Sequence, residues 1–114
     1  MYLLIVVLYN EQYVRDILRK FIEIDVRGAT LINSQGMATI ISEEVPIFSS
    51  LRRLLLEEER TNNITIFSAI KTEETLNNAV KVVLDVVKDI DKPGTGIMIV
   101  MPVLKIYGLS QKAT

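Results

Sequence analysis

The residues best suited to binding a ligand form a glycine pair near the end of the chain, Gly94-Thr95-Gly96, with Lys92 two residues before it. Glycine-rich loops can turn their backbone N–H groups toward an anion or a small ligand. The same residues also suit a tight turn between two elements. The pair follows a predicted helix and precedes a predicted strand, so it has neither the Walker nor the Rossmann context. Both interpretations, ligand loop and tight turn, remain open.

A second glycine, Gly36, stands in a short break and is followed by Met37 and Thr39. These residues could form the opposite wall of the same cleft, and they suit a β-turn or bulge equally well. The predicted ligand-binding residues are Gly36, Met37, Thr39, Lys92, Gly94, Thr95 and Gly96.

Residue types that usually carry catalysis are missing. The chain has no His and no Cys, which removes the commonest general base, the thiol nucleophile and the commonest transition-metal ligands. The glutamates at 57–59 are consecutive, so on a helix they point in different directions and cannot easily act as a catalytic pair. Met37, Met98 and Met101 are predicted to serve packing. We therefore predict no catalytic residue, no metal site and no enzymatic activity.

Charge and hydropathy exclude two further classes. Thirteen basic and fourteen acidic residues give a net charge of −1, whereas nucleic-acid binders normally carry a basic surplus. The apolar run Leu3–Leu8 lacks a basic flank and is too short to span a bilayer. We expect no nucleic-acid partner, no direct membrane insertion and a cytoplasmic location.

The elements that must position these loops follow from hydrophobic patterning. Strands are predicted at Leu3–Leu8, Ala29–Asn33, Ile64–Ile70 and Ile97–Met101. Asn10 and Thr72 are predicted to cap two helices, since both residue types accept hydrogen bonds from free N–H groups. Gly28 is predicted to end the first helical segment, and Asp91–Gly96 to end the second.

A further helix is predicted over Phe48–Glu59, because Phe48, Leu51, Leu54 and Leu55 recur on one side. The order of elements predicts an α+β fold: a single ferredoxin-like βαββαβ domain over residues 1–114. Its antiparallel sheet carries two helices on one face, with the extra short helix between the second and third strands. The bare second face is a natural place for a partner subunit.

The loop motifs, taken in order, resemble a known family. They are Gly28-Ala29-Thr30-Leu31, Gln35-Gly36-Met37, Gly94-Thr95-Gly96 and Pro102-Val103. This series is similar to the PII family of trimeric nitrogen-regulatory signalling proteins, from Tyr2 to about Leu109. The resemblance implies a homotrimer that binds ATP or ADP in three clefts between subunits. It also implies a long loop after the second strand that reaches target proteins.

The departures from the family pattern concern the nucleotide phosphates. Residues 38–40 are Ala, Thr and Ile where the family has Gly, Arg and Gln, and Ile97 replaces a lysine. Gly108 and Ser110 occupy the places of two arginines. About three lost charge-assisted contacts, at roughly 1.5–3 kcal/mol each, cost roughly a thousandfold to a millionfold in affinity. We therefore expect no tight binding of ATP or ADP in the usual PII manner, and the cofactor stays undefined.

The sequence thus predicts a non-enzymatic, PII-like trimeric regulator that senses a nucleotide or metabolite between subunits and regulates a partner protein. The alternative is a trimeric metal-handling protein resembling the divalent-cation tolerance family, for which only carboxylate and thioether ligands are present. An acylphosphatase needs an arginine-bearing loop after the first strand, and residues 9–12 lack one. An RNA-recognition domain needs exposed aromatic residues on its central strands, where Phe67 stands alone.

Overall fold

The computed structural model describes residues 1–34 and 63–108 of the 114-residue chain. Its elements, in order, are β1 (Tyr2–Leu8), α1 (Glu11–Glu23), β2 (Thr30–Ser34), β3 (Asn63–Ile70), α2 (Glu73–Val86) and β4 (Gly96–Pro102). The strands form one antiparallel sheet in the order β2-β3-β1-β4. This architecture confirms the predicted ferredoxin-like α+β fold. The helix predicted over Phe48–Glu59 lies outside the described residues.

The side chains of the central strand β1 point alternately to the two faces of the sheet, as in any β-strand. Leu4, Val6 and Leu8 are buried, and they join the core that includes residues of both helices. The register places Ile66 opposite Val6 on the same face. The helices therefore cover the face of β1 that carries the even-numbered residues.

Helix α1 begins as the sequence predicts: the Asn10 side chain accepts a hydrogen bond of 2.8 Å from the Gln12 N–H. Its end differs from the prediction. The helix stops at Glu23, and Asp25 rather than Gly28 adopts the positive φ, 67°, that turns the chain. The Val26 N–H bonds back to the Phe21 carbonyl at 2.8 Å, and both side chains are buried. This Schellman-type ending explains the earlier stop, because aspartate tolerates the left-handed conformation.

Helix α2 also begins at its predicted cap, since the Thr72 hydroxyl accepts a hydrogen bond of 3.2 Å from the Thr75 N–H. It ends at Val86, before the predicted stop at Asp91–Gly96. Turns follow, with the Lys92 N–H bonded to the Asp89 carbonyl at 2.9 Å. A helix could not continue beyond this point, because the proline that follows Lys92 disfavours a helical conformation there.

The face of the sheet away from the helices is apolar on β1 and β4, whereas β2 and β3 also place Thr30, Ser34, Asn63 and Thr65 there. On β4, Ile97, Ile99 and Met101 point to this side and are exposed. The same side carries Leu3, Ile5, Val7, Ile32, Phe67 and Ala69 by register. We call this surface the open face. Within the described ranges, no helix has both the length and the apolar character needed to cross a membrane.

Candidate functional site

The predicted glycine pair has a structural reason at each position. Gly94 has a φ of 79°, a conformation that side-chain-bearing residues rarely adopt. Gly96 begins β4 opposite Leu8, and a Cβ there would stand 2.6 Å from the Val7 carbonyl oxygen and 2.8 Å from Leu8 Cδ2. The tight-turn interpretation therefore explains both glycines without a ligand. It does not exclude one, because Gly94 is exposed and Thr95 is half-buried.

A shallow depression of about 300 Å³ adjoins this turn. It is lined by Leu84, Ile90, Asp91, Gly96, Ile97 and Met98. Among these residues Asp91 alone is charged, and its charge is negative. Lys92 is exposed beside the turn without lining the depression. The described lining therefore suits an uncharged or cationic group better than an anion.

The other predicted ligand-binding residues, Gly36, Met37 and Thr39, lie outside the described residues. The chain leaves the sheet toward them at Ser34, the end of β2. Strand β2 forms one edge of the sheet and β4, with Gly96, forms the other. Three interstrand steps separate these edges, roughly 14 Å at ordinary strand spacing. The sheet of one chain thus places the end of β2 and the start of β4 on opposite edges.

A second depression, of about 370 Å³, was not predicted as a binding site. It is lined by Leu3, Gly28, Ala29, Thr30, Phe67, Ser68 and Ala69. Thr30 pairs with Phe67 across the two strands, so its hydroxyl-bearing side chain stands beside an aromatic ring. The motif at 28–30 was the available signal in the sequence, but the contribution of Phe67 depends on strand register.

The two depressions lie at opposite ends of the sheet. Leu3, near the start of β1, lines the larger one, whereas Gly96 pairs with Leu8 at the end of β1. Five residues of extended chain span roughly 17 Å. A small ligand could not contact both depressions of the same chain.

The described ranges contain no group of three or more His, Cys, Asp and Glu side chains placed to hold a metal ion. Two ion pairs in these ranges, Arg15 with Glu11 at 3.3 Å and Arg27 with Asp25 at 3.1 Å, are exposed. Exposed pairs of this kind contribute little to stability.

Comparison with known proteins adds information on the fold. No family model matches the chain, and no curated protein matches it in sequence. Among solved structures, the crystal structure of Arabidopsis thaliana PII bound to citrate matches with a TM-score of 0.60 and 13% identity. The match covers 90% of this chain and 76% of that chain. At this identity the likeness concerns the fold, and the chain has a PII-like fold.

Proposed function

We propose that the chain is a single-domain, cytoplasmic, non-enzymatic regulator of the PII type. It forms a homotrimer, senses a nucleotide or metabolite between subunits and regulates a partner protein. The observation that carries the proposal is a PII-like fold whose sheet has one face, largely apolar, that the two described helices leave uncovered.

The open face supports assembly. Ile97, Ile99 and Met101 are each exposed on it, and they form one row beside the apolar side chains of β1. Contiguous exposed apolar surface of this kind marks interaction sites, because a monomeric protein rarely leaves it in water. Burying it against further copies of the chain would also strengthen a domain too small to bury much surface alone.

The arrangement of the candidate sites supports a ligand between subunits. The turn at 94–96 and the depression at Phe67 lie at opposite ends of one sheet, and Ser34 lies on the edge away from Gly96. A site that combines any two of these features therefore needs more than one copy of the chain. The matched PII structure contains citrate, but we do not propose an anionic ligand for this chain. The described lining residues of both depressions supply no positive charge.

No observation favours the metal-handling alternative. The chain lacks His and Cys, and the described carboxylates do not gather at one point.

Static light scattering at micromolar concentration tests the assembly. We expect three times the chain mass of 12.9 kDa. Native mass spectrometry of gently purified protein would report subunit number and retained ligand together. A monomer at all concentrations would refute both the trimer and a site between subunits.

Nucleotide binding provides a separate prediction. Titration calorimetry with ATP and Mg²⁺ should give a Kd no tighter than roughly tens of micromolar, because the phosphate-binding cations of the family are missing. Ile97→Lys restores one such cation and should tighten ATP binding about tenfold or more. Ile97→Met, which adds no charge, is the matched control and should leave the Kd unchanged. Nanomolar binding by the unmodified protein would contradict the prediction.

A further inference from the structure

The buried polar side chains of the described residues all lie on one strand. They are Asn63, Thr65 and Ser68, and all three lie on β3. Their hydrogen bonds reach the two ends of β2. At one end, the Ser34 hydroxyl donates to Asn63 Oδ1 and lies 3.0 Å from Thr65 Oγ1. At the other end, the Ser68 hydroxyl donates to the Gly28 carbonyl at 2.7 Å, two residues before β2 begins. We call the hydrogen bonds of Ser34 the near tie and the hydrogen bond of Ser68 the far tie.

Strand β2 has little apolar anchoring besides these ties. Four of its five residues are exposed, and its two large apolar side chains, Leu31 and Ile32, are 45% and 46% exposed. It packs mainly against β3. By contrast, β1 buries three side chains almost completely and pairs with a strand on each side.

We propose that β2 is a releasable edge strand, and that the near and far ties set how often it leaves β3. A released tie exchanges its hydrogen bonds for bonds to water, so its net cost is modest. Within one chain, little apolar burial is lost with β2, whereas separating β1 from β3 would open the core. An assembly through the open face would add the burial of Ile32 to the contacts that hold β2. Release of β2 is therefore a local opening that the rest of the sheet survives.

Release would have a consequence for ligand binding, and this consequence rests on the proposed function. The depression at Phe67 is walled by residues 28–30, which move with β2. A ligand in this depression would bind the closed form alone and would hold β2 on the sheet. The same closure would fix Ser34, where the chain leaves the sheet.

Native-state hydrogen exchange, measured by NMR on the full chain in its native assembly without ligand, tests the release. We expect β2 amides to exchange through an opening at least tenfold more populated than that of β1, with little dependence on added urea. Thr65→Val weakens the near tie and Ser68→Ala removes the far tie. Each should raise the β2 opening population about fivefold. Thr30→Val, in the same strand pair but outside both ties, should change it less than twofold.

A substitution away from β2 distinguishes local release from global unfolding. Ala79→Gly weakens α2, and should raise the exchange of the slowest β1 amides about fivefold. It should leave β2 exchange unchanged, because α2 stays folded when β2 opens. Equal acceleration of β1 and β2 by Ala79→Gly would overturn the proposal, as would normal β2 exchange in both tie variants. Neither outcome depends on a ligand, and the trimer is tested by its mass, so the proposed function is tested separately.

Discussion

Replacing Ile99 with glutamate should convert the assembly into single subunits. Ile99 lies in the middle of β4, points to the open face and pairs with Ile5 of the central strand. A trimer formed through this face would bury three carboxylates among apolar side chains. The effective cost of burying an unpaired charge is several kcal/mol per ion, and it arises three times in a trimer, so assembly should become unfavourable. Light scattering should report the mass of one chain.

The neighbouring residue is a matched control. Val100 is 43% exposed and Ile99 is 40% exposed, so a single chain shows both side chains to solvent almost equally. Val100 pairs with Leu4 and points to the side that the helices cover. Val100→Glu should therefore keep the trimer mass, while Ile99→Glu loses it. If both variants stay trimeric, or both dissociate, the open face is not the subunit interface.

Local chemistry explains what the sequence could predict. The caps Asn10 and Thr72 were identifiable because a cap bonds to a backbone N–H two or three residues away. The strands were identifiable because their apolar runs are bounded by polar or turn residues, and their observed limits differ from the predicted ones by at most one residue at either end. The order of the elements then left few topologies to consider.

Features that depend on contacts between residues distant in the chain could not be predicted from the sequence. The end of α1 depends on Val26 packing beside Phe21, which allows Asp25 to turn the chain three residues before Gly28. The depression at Phe67 exists because the register places Thr30 opposite that ring. The placement of β2 and β4 on opposite edges of the sheet likewise depends on strand pairing, which no local pattern shows.

The glycines at 94 and 96 also have structural reasons that the sequence alone does not reveal. A Gly-x-Gly motif indicates that the backbone needs freedom, but it does not reveal whether a turn, a neighbouring strand or a ligand imposes the need. The positive φ of Gly94 is a local property, and Gly94→Asn should be tolerated because asparagine adopts this conformation readily. The requirement at Gly96 comes from β1, some ninety residues earlier in the chain.

Gly96→Ala should therefore be the more damaging change, with a loss of about 3 kcal/mol in the free energy of unfolding. The new Cβ would lie 2.6 Å from the Val7 carbonyl oxygen, a backbone atom of the central strand that cannot rotate away. Relief requires β4 to move from β1, which weakens the ladder between them. Urea unfolding at one fixed chain concentration measures the loss, with Gly94→Asn as the control. If Gly96→Ala unfolds like the unmodified protein but binds ATP or a retained ligand differently, the glycine serves a ligand and the tight-turn interpretation is wrong.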